Sequence, residues 1–97
     1  MGAREAKVEK YLDSEVKKIG GITRKWVSPG RDGVPDRIIL LNGRVMFIEV
    51  KTVDGELTTN QSREHKRLKD VGAAVGTVYG KEQVDQLIEE LKKVGDV

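Results

Sequence analysis

The chain has 97 residues, with 18 Lys and Arg against 16 Asp and Glu and no cysteine. That length supports one domain, residues 1–97, built around a single modest core, and the absence of thiols excludes a disulfide scaffold and a zinc–thiolate centre. A net charge of +2 excludes a polybasic binder and shifts attention to where the charges lie.

From Arg4 to Ile19 the sequence reads as a helix, because at about 100° per residue Val8, Leu12, Val16 and Ile19 fall on one apolar stripe. Glu5 projects almost onto the middle of that stripe and Glu9 onto its flank. A core-facing helix has no general reason to carry an acid there. Glu5 either overhangs the sheet and complements the helix dipole in water, or aims at the hairpin further along as a metal ligand. This start reads as charged and helical, so no signal peptide is expected, and no apolar run reaches the length of a membrane span. An intracellular, cytoplasmic protein without membrane attachment is expected.

Ile22 to Ser28 reads as the first strand, and the glycine-flanked loop Ser28-Pro29-Gly30-Arg31-Asp32-Gly33 leads from it into Pro35-Asp36. Two further strands, Asp36 to Leu41 and Arg44 to Val53, are separated by Asn42-Gly43 alone. Asn-Gly supplies the positive φ angles of a type I′ turn, so these strands form an antiparallel hairpin. Counting outward from the turn pairs Leu41 with Arg44, Ile39 with Met46 and Arg37 with Ile48, which leaves Asp36 opposite Glu49. Side chains alternate along a strand, so Phe47, Glu49 and Lys51 share one face while Met46, Ile48 and Val50 share the other.

Two carboxylates set across a hairpin repel, and charge buried among apolar neighbours is costly unless it is paired or bound to a metal. A divalent cation held by Asp36 and Glu49 resolves the conflict, and such hard oxygen ligands suit Mg²⁺ or Mn²⁺. Read as fold chemistry alone, Glu49 and Lys51 make a same-face ion pair on an edge strand and Asp36 merely starts the turn after Pro35.

Thr58-Thr59-Asn60-Gln61 opens a second helix running to about Val71, and Thr58 with Gln61 has capping-box spacing. On the helical wheel Gln61 also lies with Leu57, His65 and Leu68 and so faces the Glu49 strand, which leaves a cap, a site role or both. His65, the only histidine, reads as a packing or phosphate-contacting residue. Ala73 to Tyr79 is the fourth strand, made parallel to the Glu49 strand by the crossover helix. Lys81 to Val94 is a last helix with Val84, Leu87, Ile88 and Leu91 on one face, and Gly95 to Val97 reads as a frayed tail. The order is αβββαβα, an α/β fold with a mixed four-stranded sheet flanked by helices.

Gly33-Val34-Pro35-Asp36, then Phe47-Ile48-Glu49-Val50-Lys51-Thr52, then Leu57-Thr58-Thr59-Asn60-Gln61 at the head of a helix, after a helix bearing Glu5, together resemble a VRR-NUC domain of the PD-(D/E)XK nuclease superfamily. The likeness runs from about Glu5 to Tyr79. It implies a restriction-endonuclease-like fold in which Glu5, Asp36, Glu49 and the main-chain carbonyl of Val50 bind the metal, Lys51 is catalytic and Gln61 supports the site. Glu9 remains an alternative to Glu5, and Lys51 is either a base or an electrostatic stabiliser.

The basic residues fit a DNA substrate, since a rim of cations holds phosphates while the carboxylates hold metal. Arg31 and Arg37 flank the Pro-Asp segment, and Arg63, Lys66 and Arg67 decorate the second helix. Nothing marks the reading of particular bases, so recognition of branched DNA by its shape is expected, and the resemblance to short nucleases of the superfamily implies a four-way junction as the substrate. One site cuts one strand, which favours a homodimer and needs no small-molecule cofactor. A flap or nicking endonuclease, or a non-catalytic nucleic-acid-binding module of the same fold, are the alternatives.

Overall fold

The computed structural model describes residues 2–95. Its elements are α1 (Ala3–Lys18), β1 (Ile22–Lys25), β2 (Arg37–Leu41), β3 (Arg44–Lys51), α2 (Thr59–Asp70), β4 (Val75–Tyr79) and α3 (Lys81–Gly95). The strands form one sheet in the order β1-β2-β3-β4, antiparallel except for the parallel pair β3 and β4. The αβββαβα order and the mixed sheet are therefore as the sequence predicts.

Asn42 (φ 51°) and Gly43 (φ 76°) make the hairpin turn, and its register is Leu41 with Arg44, Ile39 with Met46 and Arg37 with Ile48. Because β3 lies between β2 and β4, Glu49 and Lys51 sit on a central strand, not on an edge. α1 and α3 cover one face of the sheet. Val8, Leu12 and Val16 of α1 and Val84, Ile88 and Leu91 of α3 pack there against Ile39, Leu41, Ile48, Val50 and Val78. Burying each such side chain stabilises the fold by roughly 1.5–3 kcal/mol. The opposite face of β3, with Glu49, turns towards α2. Among the described residues no helix is long and apolar enough to cross a membrane.

Several boundaries differ from the sequence reading, each for a local reason. β1 stops at Lys25 instead of Ser28, because the chain turns at Pro29, where the Arg31 N–H closes on the Ser28 carbonyl at 3.1 Å. β3 ends at Lys51 instead of Val53, since Gly55 N–H bonds the Thr52 carbonyl in a turn. β4 begins at Val75 instead of Ala73. The N–H groups of Gly72 and Ala73 bond back to the carbonyls of Lys69 and Leu68, a Schellman cap that needs Gly72 at φ 97° and keeps Ala73 with the helix. Gly95 ends α3 instead of starting a tail; residues 96–97 lie outside the described residues.

Candidate active site

Pro35 opens the gap on which the site is built. The last paired position of β2 and β3 is Arg37 with Ile48, and the next bonded position would set Pro35 against Val50. Proline has no N–H to give. The Val50 carbonyl, which points to that side of its strand, therefore has no β2 donor among the described residues, and the Val50 N–H beside it donates to Asp36 Oδ2 at 3.0 Å. Asp36 and Glu49 then face one another across the gap, as the register predicts.

Gly33 fixes this loop against α2. Its φ is 87°, and a Cβ there would lie 2.5 Å from the Asn60 carbonyl oxygen and 3.0 Å from the Gln61 nitrogen, so only glycine fits. Gln61 does two things at once. Its Oε1 accepts from the Thr58 N–H at 2.9 Å, completing a capping box, while its Nε2 donates to Glu49 Oε2 at 3.2 Å. Lys51 Nζ stands 3.8 Å from the same oxygen. Glu49 and Lys51 are only 2% and 8% exposed.

The electrostatics follow from that burial. Desolvation, then the charge of Asp36 and the hydrogen bond between the two carboxyls, push the Glu49 carboxyl up to about 8; Lys51 opposes the shift and Glu5 adds to it. Glu49 Oε1 is buried without a hydrogen-bond partner among the described residues. A close carboxylate pair, one orphaned oxygen and an unused main-chain carbonyl form a set of hard oxygens that fits Mg²⁺ or Mn²⁺. Magnesium commonly uses one or two carboxylates and completes its shell with water and substrate phosphate. Among the described residues no three acid or imidazole side chains converge closely enough to cage an ion by themselves.

The helix acids stand further off. α1 packs on the Ile48–Val50 face and so is not aimed at the face of Glu49. Its first turn lies beside the turn after β3, where Arg4 Nη2 meets Asp54 Oδ1 at 3.4 Å. From there half-buried Glu5 acts on Glu49 through its charge, and it makes no ion pair among the described residues. Glu9 lies 3.8 Å from Arg37 Nε, and its carboxyl is raised chiefly by burial, with Arg37 opposing.

Of the expected phosphate contacts, Arg31, Arg63 and Arg67 come together. With Gly30, Asp32 and Asn60 they line a polar cleft of about 210 Å³ at the head of α2. Glu64 orients two of them, its Oε1 being 3.0 Å from Arg67 Nη1 and 3.9 Å from Arg31 Nη1. Lys66 is outside the cleft and pairs with Asp70 at 2.8 Å. Arg37 is not on this rim. Its side chain is 14% exposed, and its guanidinium grips both carboxylate oxygens of Asp13, so it braces β2 against α1.

Two contributors were not legible as such in the sequence. His65, 4% exposed, brings Nε2 to 3.8 Å from Glu49 Oε1, while its other ring nitrogen bonds the Gly33 backbone. Burial holds its pKa below the ordinary value, against the bond to Gly33, which raises it. The signal was its place one turn beyond Gln61 on the same helix face. Glu64 gave no signal, because its arginine partners converge only on folding.

No family model matches the chain. Over 73 residues it is 53% identical to a protein named "Putative nuclease p44" from Acyrthosiphon pisum secondary endosymbiont phage 1, covering 74% of this chain and 78% of that one. Among solved structures it is similar to one described as "VRR_NUC domain", at a TM-score of 0.84 and 38% identity, over 91% of this chain and 97% of the other. With the Gly-x-Pro-Asp gap, the Glu49-x-Lys51 strand and Gln61 in one site, the chain belongs to the VRR-NUC family of nucleases.

Proposed function

We propose that this chain is a Mg²⁺- or Mn²⁺-dependent endonuclease that hydrolyses phosphodiester bonds in branched DNA, such as four-way junctions, inside the cell. The observation that carries the reading is the Asp36–Glu49 pair, two carboxylates forced together beside Lys51 with Glu49 Oε1 left without a hydrogen-bond partner among the described residues. Asp36, Glu49 and the Val50 carbonyl would hold the metal. Of the two helix acids, Glu9 already has Arg37 as a partner, while Glu5 acts on the site through its charge on Glu49. When bound, such an ion activates water and polarises a phosphate oxygen.

The chain's own residues supply the rest. The attacking water oxygen bonds to phosphorus and releases a proton to solvent, the bond to the leaving oxygen breaks and that oxygen takes a proton from solvent, and negative charge grows on the phosphate between. Lys51, held beside Glu49 by strand alternation, offsets that charge. Gln61 keeps Glu49 Oε2 in place. Arg31, Arg63 and Arg67 hold a neighbouring phosphate in the cleft at the head of α2, which fixes the strand's position without reading its bases. One site cuts one strand, so paired cuts across a junction require two copies of the chain.

The test is cleavage of a labelled four-way junction beside a linear duplex, a flap and a single strand, with Mg²⁺, Mn²⁺ or EDTA. Symmetric, metal-dependent junction cuts that Asp36→Ala and Lys51→Ala abolish without unfolding are expected. Preference for the flap would reassign the substrate, binding without cutting would mean a non-catalytic module, and an active Lys51→Ala protein would break the mechanism.

A further inference from the structure

We infer that the bare part of the sheet beside the catalytic pair is a platform for unpaired DNA bases, with Trp26 as its stacking residue. The inference rests on the nuclease reading above and names the part of the substrate that lies next to the cut.

Side-chain alternation puts three rows on the face of the sheet that carries Glu49. In the first, Trp26 continues the register to Asp36, its N–H donating to the Asp36 carbonyl at 3.0 Å, and Asp36 faces Glu49. The second row is Arg24, Ile38 and Phe47, and the third is Ile22, Leu40 and Val45. α2 shelters the β4 side of this face, where Ser62 and Lys69 stand over Val75 and Gly76. The third row is left exposed, and Ile38 and Phe47 are half-buried. A contiguous apolar surface of this kind marks a binding site.

What fits the surface is set by its border. The flank of α2 turned away from β4 carries Arg63 and Arg67, which meet Arg31 of the loop after β1. In the second and third rows only Arg24 is charged, and its guanidinium is bonded to the Thr23 carbonyl at 2.7 Å. Cations at the edge of an apolar floor match a nucleic-acid strand with its phosphates on the edge and its bases on the floor. A second copy docked here about a two-fold axis would bring two arginine borders together, and that repulsion opposes it. Trp26 packs on Phe47 with ring centroids 4.9 Å apart and a 45° tilt, so the indole is braced yet only half-buried. It lies two strands from Glu49, roughly 10 Å at the usual strand spacing, within reach of nucleotides flanking the cut phosphate. An intact duplex keeps its bases stacked inside, whereas a branch can release them.

The experiment compares, in EDTA, the binding of a short labelled oligothymidylate with that of a strand of the same length lacking all its bases. The complete strand should quench the emission of Trp26, the only tryptophan. It should also bind at least about 5-fold more tightly than the abasic strand, the value for one stacked base. Trp26→Ala should lose most of that preference and Trp26→Phe should keep part of it. Leu40→Lys, which adds a cation to the floor, should lower the preference, whereas contact with phosphates alone would tighten both strands equally. Equal binding of the two strands by the wild type, or Trp26 emission unchanged by the complete strand, would overturn the inference while leaving the nuclease standing. So would a dimer in sedimentation that Leu40→Lys splits, because the face would then belong to a second copy. A wild type that binds neither the strand nor a four-way junction would overturn both readings. If Trp26→Ala does not fold, Leu40→Lys, at an exposed position, decides by the same ratio.

Discussion

Glu49→Gln removes the carboxyl that burial in this fold keeps from ionising. In the metal-free protein the Glu49 carboxyl titrates at about 8, against 4.5 for an ordinary glutamate. Between those values the folded chain holds a proton that the unfolded chain has released, so stability falls as pH rises. The contribution of this carboxyl is greatest below 4.5, where both states are protonated, and stops falling above about 8, where both are ionised. At about 1.4 kcal/mol per unit, the loss accumulated by neutral pH is about 3 kcal/mol. The variant lacks a titrating group at this position and should lack that slope. Urea unfolding in EDTA, stepped through the interval and followed by the fluorescence of Trp26, reads the difference. Trp26 is the only tryptophan and packs on Phe47 with ring centroids 4.9 Å apart, so it reports loss of the fold. The slope is the quantity to compare, because Lys51 also loses a partner in the variant. Parallel pH profiles for the two proteins, or a wild type that gains on the variant as pH rises, would refute the reasoning. Added Mg²⁺ should flatten the wild-type profile by favouring the ionised pair.

Gly33→Ala should cost about 1–3 kcal/mol, since it sets a Cβ 2.5 Å from the Asn60 carbonyl oxygen at positive φ; the urea midpoint checks it. Arg37→Ala, which strands Asp13 and Glu9, should cost about 1.5–3 kcal/mol and lower the thermal midpoint. Arg63→Ala should leave that midpoint unchanged but weaken DNA binding and reduce the slope of log affinity against log salt by about 1, as titrations at several salt concentrations will show. Gln61→Glu keeps the oxygen that caps α2 but replaces the donor facing Glu49 with another carboxylate. Cleavage should fall by an order of magnitude or more while helix content holds, as paired kinetic and circular dichroism measurements will test.

The hairpin and its register were legible because they depend on local terms. Asn42-Gly43 fixes the turn, and the period of two then sets Asp36 against Glu49 and puts Lys51 on the same face. The helices were legible for the same reason, since apolar spacing and the Thr58–Gln61 box act within a few residues. Strand ends were less so. Ala73 has the look of a strand residue, yet its N–H goes to the Schellman cap, a competition that composition does not reveal.

By itself, then, the sequence determined the order of the elements, the pairing of two carboxylates and the lysine beside them, because turn chemistry and side-chain alternation are short-range. Only the tertiary structure decided which charges are used up and which are left over. Arg37, promising as a phosphate contact by its position, is gripped by Asp13 of α1, and Arg31 joins Arg63 and Arg67 only because Gly33 lets its loop lie on the first turn of α2. His65 meets Glu49 because α2 packs on the face of β3 that carries Glu49. Such contacts join residues distant in the chain, and they form only when the packing of α1 and α2 on opposite faces of the sheet brings those residues within reach.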